Sequence, residues 1–131
     1  MKLSLDTNIL VAILRGKEPE LHQRFLSNPP MNYAVSEIVR AELMHGVEMS
    51  LQPVANREKV EALLEPLERV PFAGRASDVY GEIKAILQRK GMGIGSNDLL
   101  IAASAVSEGH RVITRNTKEF SRVPGLEWEE W

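Results

Sequence analysis

The chain has 131 residues, 44% of them hydrophobic and 5% aromatic, so it suits one domain with a single aliphatic core, and we expect residues 1–131 to form it. It contains no cysteine, which excludes disulfide bonds and thiolate metal sites, and it shows neither a signal-peptide pattern nor an apolar run of membrane-spanning length; we therefore expect a cytoplasmic protein with no membrane partner. The formal net charge of -2 argues against nucleic-acid binding through overall positive charge.

The first part of the chain predicts two strands, each followed by helices. Residues 2–5 form a short apolar strand, and the helix after it ends at Gly16. A second helix follows and stops before Pro29-Pro30, because proline disfavours helical backbone in the residue before it. Residues 32–35 predict the second strand, and Ser36 should cap the helix behind it.

The second part of the chain continues this alternation. Pro53 begins a helix, residues 69–72 predict a third strand whose proline indicates an edge or a strand end, and residues 76–90 predict an amphipathic helix. Ser96 or Asn97 should cap the next helix. The remaining elements are a strand at 111–114, a turn at 116–120 and an edge strand at 126–128. This order predicts an α/β fold with three layers, α/β/α, around a central, mainly parallel sheet of four to five strands.

Two acidic residues fall on helix faces that should be buried. Glu42 lies at helical spacing between Val39 and Gly46, and Asp98 precedes the apolar Ile101 by three residues. A charged group in the interior needs a partner, and chance explains two inward carboxylates much less readily than one.

Other polar residues follow the strands. Asp6 comes directly after the first strand, and Asn116 and Glu119 come after the fourth. Because ligands of parallel sheets bind outside the carboxyl ends of the strands, these residues can approach Glu42 and Asp98 at one end of the sheet. Crowded carboxylates raise each other's pKa unless a cation intervenes, and oxygen ligands favour Mg²⁺ or Mn²⁺. Such a metal suits phosphodiester hydrolysis, because it activates water and neutralises charge on the leaving oxygen.

Each of these residues also has a plain structural interpretation. Asp6 could cap the first helix, and Asp98 could complement a helix dipole. Glu42 could bond a nearby backbone group or arginine, Asn116 could be a turn residue, and Glu119 could simply face solvent.

Four segments, taken in order, resemble the PIN-domain ribonucleases of the VapC toxin family. They are Asp6-Thr7-Asn8, the pattern Ser36-x5-Glu42-Leu43-x2-Gly46, the stretch from Ile94 to Ala103 around Asp98, and Thr114-x-Asn116-x2-Glu119-Phe120. The last segment continues to Leu126 in a form similar to the VapC branch, and the resemblance covers essentially the whole chain.

The resemblance implies a single PIN-like domain and a Mg²⁺-dependent endoribonuclease, with Mn²⁺ possible, that cleaves tRNA or another structured RNA. It implies Asp6 and Asp98 as the main metal ligands and Glu42 as a metal ligand or a positioning group for water. Thr7, Ser36 and Thr114 would be polar supports. Many family members have an aspartate at the position of Asn116, and Glu119 could supply the missing carboxylate.

The resemblance also implies partners. A VapB-type antitoxin would insert a segment into the active site of the toxin. A toxin homodimer would lie within a larger toxin–antitoxin complex that binds operator DNA through the antitoxin. The apolar helices before residue 70 are candidates for both contact surfaces.

Three further hypotheses follow from particular residues. Asn116 leaves open an alternative, a catalytically impaired PIN-fold binding module that acts through antitoxin and DNA complex formation. Arg115, Lys118 and Arg122 could rim the acidic pocket and hold the RNA backbone. A receiver-type phosphotransfer protein is set aside because the third strand ends in Val70-Pro71-Phe72, and a haloacid-dehalogenase-type phosphatase is excluded by Asn8.

Overall fold

Five short strands form one parallel sheet at the centre of the protein, in a computed structural model that describes residues 1–131. The strand order is β3-β2-β1-β4-β5, and every neighbouring pair is parallel. The strands are β1 (Leu3–Leu5), β2 (Tyr33–Ser36), β3 (Glu68–Val70), β4 (Arg111–Thr114) and β5 (Glu127–Glu130). The prediction of a central, mainly parallel sheet of four to five strands is therefore confirmed, with five strands observed.

Seven α-helices cover the two faces of this sheet and complete the predicted three-layer arrangement. On one side α5 packs along α6, and on the other α3 packs against α1 and α4. The helices are α1 (Thr7–Arg15), α2 (Pro19–Leu26), α3 (Glu37–Glu48), α4 (Pro53–Leu64), α5 (Arg75–Arg89), α6 (Ser96–Glu108) and α7 (Thr117–Phe120), with a 3-10 turn at Pro30–Asn32. None of these helices is long and apolar enough to cross a membrane.

The central strands carry the core, because helices cover both faces of a parallel sheet. Leu5, Val112 and Ile113 are fully buried, and every residue of β2 is buried. The outer strands are different. Most of β3 and β5 is exposed, and the glutamates of β5 discourage pairing of that edge with another chain.

Local signals explain most helix ends. Gly16 and Gly109 end α1 and α6 with φ angles of 66° and 71°, a left-handed conformation that glycine adopts without strain. Ser36 caps α3 as predicted, since its hydroxyl oxygen accepts the main-chain N–H of Val39 at 3.2 Å.

Two local predictions were wrong. Gly95, not Ser96 or Asn97, is the N-cap of α6, and Asn97 instead directs its side-chain amide towards Glu42. Within the predicted turn at 116–120, Thr117–Phe120 form the helix α7, and Asn116 is its N-cap residue. The fully buried Phe120 anchors this helix, and a single helical turn is too short to show a periodic pattern.

Candidate active site

The five predicted site residues come together at the carboxyl end of the sheet. Asp6 follows β1 directly, and Glu42 lies in the second turn of α3, behind β2. Asn116 follows β4 and Glu119 lies in α7, while Asp98 lies in the first turn of α6. The hydrogen bonds among their side chains form two neighbouring groups.

The first group is centred on Asp6, which is only 3% exposed. Its Oδ2 accepts a hydrogen bond from the hydroxyl of Thr114 at 2.7 Å, and its Oδ1 accepts the main-chain N–H of Thr7 at 2.8 Å. The N–H of Asp6 itself donates to the carbonyl of Ile113 at 3.0 Å. Asp6 therefore caps α1, as its structural interpretation requires, and is also fixed in orientation at the site.

Glu42 joins this group through Thr7. The Thr7 hydroxyl donates to Glu42 Oε1 at 2.6 Å, and the side-chain amide of Asn97 approaches Oε2 at 3.5 Å. Glu42 is half-buried, whereas Gly46 on the same predicted face is exposed. Thr7 thus holds the first carboxylate with its main chain and the second with its side chain.

The second group is centred on Asn116. Its side-chain Nδ2 donates to Asp98 Oδ2 at 2.9 Å and to Glu119 Oε2 at 2.8 Å. The main-chain N–H of Gly95 donates to the other oxygen of Glu119 at 3.3 Å. The Asn116 amide therefore bridges two carboxylates from different helices.

Thr114 connects the two groups. It is fully buried, and while its hydroxyl donates to Asp6 it also accepts the main-chain N–H of Asn116 at 2.9 Å. Of the predicted polar supports, Thr7 and Thr114 contact the carboxylates, whereas Ser36 serves the N-terminus of α3. Asn97 is a site residue that the sequence interpretation assigned to a helix cap; its only signal was its place beside Asp98.

Asp98 has the most strongly shifted pKa in the site. Burial, a hydrogen bond with Glu119 and the negative charges of Asp6, Glu119 and Glu42 together raise the pKa of Asp98 to about 7. The pKa of Glu119 is lowered by the same hydrogen bond and by the donors Asn116 and Gly95. The two carboxyl groups therefore titrate as an interacting pair, with the pKa of Asp98 raised and that of Glu119 lowered.

Asp6 has a raised pKa for a related reason. Burial is the largest cause, the nearby charge of Glu42 adds to it, and the hydrogen bonds from Thr114 and Thr7 partly offset it. Two carboxyl groups from opposite sides of the site thus resist ionisation.

The donor chemistry of the site fits a hard divalent cation. The side chains offer carboxylate and amide oxygens and neither sulfur nor imidazole, and a cation would relieve the repulsion that raises the Asp98 and Asp6 pKa values. With the side chains in these positions, no three acidic or histidine residues surround a common point. A metal site with three such side-chain ligands would therefore need side-chain movement.

Basic residues near the site have unequal freedom to bind RNA. The Arg115 guanidinium is engaged by Glu18 and by the main-chain carbonyl of Trp131, so an RNA phosphate would have to compete with these partners for it. Arg122 donates to the carbonyl of Gly93 at 3.0 Å and helps to lower the Glu119 pKa. Lys118 and Arg122 remain as candidates for an RNA contact.

A groove of about 450 Å³ begins at Glu42 and runs between α1, α3 and α4. Arg15 and Lys59 add positive charge to its walls. Its apolar lining consists of Val11, Leu14, Leu43, Val47 and Val60. The groove therefore presents an apolar surface with basic residues beside it and an acidic residue of the site at one end.

Comparison with known proteins agrees with this fold. Residues 3–126 match the family model described as PIN domain. Ribonuclease VapC2 of Rickettsia felis is 40% identical over 129 residues, which cover 97% of this chain and 96% of that protein. The tRNA(fMet)-specific endonuclease VapC of Salmonella typhimurium is 37% identical over 131 residues, covering 100% of this chain and 98% of that protein.

Solved structures show the same similarity. A DNA-bound VapBC structure from Salmonella typhimurium superposes with a TM-score of 0.93 at 37% identity, covering 100% of this chain and 98% of that chain. VapBC2 from Rickettsia felis, bound to a fragment of its promoter, gives a TM-score of 0.92 at 36% identity, with coverage of 100% and 99%. The chain therefore belongs to the PIN domain family and, within it, to the VapC branch.

Proposed function

We propose that this protein is a metal-dependent endoribonuclease, the toxin of a type II toxin–antitoxin pair, and that it hydrolyses phosphodiester bonds in tRNA or another structured RNA. The observation that carries the proposal is the gathering of Asp6, Glu42, Asp98 and Glu119 around Thr7 and Asn116 at the carboxyl end of the sheet. The names of the VapC relatives support the same activity. We propose the cytoplasm as its location.

Asp6 and Asp98 are the proposed ligands of Mg²⁺, or of Mn²⁺ in its place. When bound, the ion would lower the pKa of a coordinated water and neutralise charge on the leaving oxygen. Thr114 and the N–H of Thr7 hold Asp6 in one orientation, yet each carboxylate oxygen keeps a further lone pair for a ligand. Glu42 would position the attacking water through Oε2, because Oε1 is bound by the Thr7 hydroxyl.

Asn116 would act as a positioning residue in this scheme. Its amide holds Asp98 and Glu119 side by side, so Glu119 would provide the negative charge that an aspartate at position 116 would otherwise supply. The alternative, a catalytically impaired binding module, is favoured by the same asparagine and by the absence of three converging ligands.

A VapB-type antitoxin is the proposed protein partner, since the similar solved structures are named as VapBC complexes, two of them with DNA. The apolar groove that starts at Glu42 fits an amphipathic segment of such a partner, with acidic side chains near Arg15 and Lys59. We propose a toxin homodimer within a larger complex that binds operator DNA through the antitoxin.

Cleavage of total RNA and of tRNA(fMet) by antitoxin-free protein tests the activity. With Mg²⁺ or Mn²⁺ we expect discrete fragments, and Asp6→Asn, Asp98→Asn or EDTA should reduce cleavage at least about 100-fold. Asp78→Asn, which removes an exposed acid on α5, is the matched control and should cleave normally.

A folded parent protein that cleaves no RNA with either metal would contradict the proposal. Asn116→Asp would then separate the two candidate functions. Cleavage gained by this variant identifies an impaired nuclease, and continued inactivity with intact antitoxin binding identifies a binding module.

A further inference from the structure

Arg115 stands between two residues that hold the site, but its side chain leads away from it. On one side Thr114 donates to Asp6 at 2.7 Å, and on the other Asn116 donates to Asp98 at 2.9 Å. The side chain of Arg115 contacts none of the site carboxylates; it is exposed and reaches Glu18 instead, on the surface formed with Trp131. A change in the position of Arg115 would therefore shift the backbone of its neighbours Thr114 and Asn116, which make the contacts with Asp6 and Asp98.

Three guanidinium nitrogens of Arg115 are engaged on that surface. Nη1 and Nη2 donate to the two carboxylate oxygens of Glu18 at 3.0 and 2.6 Å, and Nε donates to the main-chain carbonyl of Trp131 at 3.0 Å. A planar guanidinium bound in this two-pronged way is fixed in direction as well as in distance. The same contact lowers the pKa of the Glu18 carboxyl.

The partners of Arg115 are themselves anchored. Glu18 precedes α2 directly, in the short connection from α1. The indole N–H of Trp131 donates to Glu129 at 2.6 Å, and the Arg24 guanidinium lies 4.7 Å from the centre of its ring. The Trp131 ring also meets the fully buried Tyr33 edge-on, with 6.2 Å between ring centroids.

We infer that Arg115 is a positioning residue, and that its contacts with Glu18 and Trp131, here named the Arg115 clamp, hold Thr114 and Asn116 in place for catalysis. The inference rests on the proposed ribonuclease function. It assigns no RNA contact to Arg115. If it is correct, the connection between α1 and α2, which carries Glu18, and Trp131, which follows β5, both help to support the active site.

The clamp should affect catalysis more than folding. Exposed ion pairs contribute little to global stability, and the side chains of Arg115 and Glu18 are 36% and 45% exposed. A displacement of a site residue by about 1 Å can by contrast reduce the rate about 100-fold. If the pair had a purely structural role, its removal would instead lower stability more than the cleavage rate.

Steady-state cleavage of RNA by Arg115→Gln, Glu18→Gln and the double variant tests the clamp. We expect each single variant to lower kcat about tenfold with little change in KM, and the double variant to be no slower than the singles. Arg69→Gln is the matched control, because Arg69 lies in β3 at the other edge of the sheet and pairs with Glu61 at 3.0 Å, outside the clamp. It should retain full activity.

Two kinetic outcomes would overturn the inference. A higher KM with unchanged kcat in Arg115→Gln, together with normal activity of Glu18→Gln, would make Arg115 an RNA contact. If the loss of kcat in the double variant equals the product of the two single losses, Arg115 and Glu18 act independently and not through each other.

A second readout needs no catalysis, so it separates failure of the clamp from failure of the ribonuclease proposal. The side-chain amide of Asn116 gives its own signals in a ¹⁵N-correlated NMR spectrum. We expect these signals to shift in Arg115→Gln and in Glu18→Gln and to stay unchanged in Arg69→Gln. Unmoved signals in both clamp variants would refute the positioning role whether or not the parent protein cleaves RNA.

Discussion

At the scale of single residues, Asp98 shows the conflict between folding and function most clearly. Its pKa of about 7 lies well above the ordinary 3.8, so burial and the surrounding carboxylates oppose its ionisation in the folded protein. The unfolded chain has no such opposition. The folded state therefore holds more protons than the unfolded state between these two pKa values, and stability falls as pH rises through that window.

Asp98→Asn should stabilise the metal-free protein. The amide cannot ionise but can still accept from Asn116 and donate to Glu119, so the variant keeps both neighbours. Because half of the side chain meets solvent, we expect a gain of only about 1–2 kcal/mol above pH 7, which disappears towards pH 4. Denaturant unfolding in EDTA at several pH values measures this gain.

The control for this prediction is Asp78→Asn, whose carboxyl is exposed on α5. Because Asp78 lies in the first turn of α5, this variant should at most lose about 1 kcal/mol of helix-dipole stabilisation, and it should show no gain in stability above pH 7. A gain for Asp98→Asn that is the same at pH 4 and pH 8 would show that packing, not ionisation, distinguishes the variant. Added Mg²⁺ should stabilise the parent protein more than Asp98→Asn.

At the scale of elements, β4 and the residues behind it organise the site. Thr114 ends the strand and serves both groups of carboxylates, while Asn116 and Glu119 follow within five residues. Strand pairing fixes the start of this segment, since β4 lies between β1 and β5. The burial of Phe120 fixes its end.

Thr114→Val should destabilise the protein by about 1–3 kcal/mol, because the change leaves a buried main-chain N–H and a buried carboxyl without their partner. The variant should also raise the Asp6 pKa further. Thr114→Ser keeps the hydroxyl and should recover most of the loss. Thermal and denaturant unfolding at neutral pH give the comparison. A loss in Thr114→Ser as large as that in Thr114→Val would show that the hydroxyl hydrogen bonds do not account for the destabilisation, because serine keeps the hydroxyl.

Sequence patterns predicted the secondary-structure elements better than they predicted the side-chain contacts. Periodicity and flanking glycines were enough for α1, α5 and β4, but α7 has a single turn and depends on where Phe120 is buried. The order of motifs selected side chains that the structure brings together at the carboxyl end of the sheet. It did not reveal that Thr7 pairs with Glu42, 35 residues away, or that Thr114 pairs with Asp6, 108 residues away, because such pairings are set by sheet order and helix packing.

At the scale of the whole molecule, the candidate active site and the apolar groove share Glu42. A partner that fills the groove would reach the acidic pocket without any change of fold. Inhibition and recognition would then depend on different residues: apolar ones in the groove, and polar ones in the site. Substitutions in the groove can therefore separate antitoxin binding from RNA cleavage.

Leu14→Ala should weaken antitoxin binding while RNA cleavage is retained. Leu14 is a half-buried part of the groove lining, and truncation of a leucine at an interface removes about 1.5–3 kcal/mol of apolar burial, which corresponds to a loss in affinity of about tenfold or more. Leu26→Ala is the matched control, since Leu26 is 65% exposed on α2 and does not line the groove. Isothermal titration with a VapB-type antitoxin measures the affinity of both variants. Weaker binding by Leu26→Ala together with normal binding by Leu14→Ala would show that the antitoxin binds another face of the protein.

Two further measurements complete the test of Leu14→Ala. An unchanged melting temperature would show that the loss of affinity arises at the interface and not from unfolding. Continued RNA cleavage in the presence of antitoxin would show that antitoxin bound less tightly in the groove no longer inhibits the site.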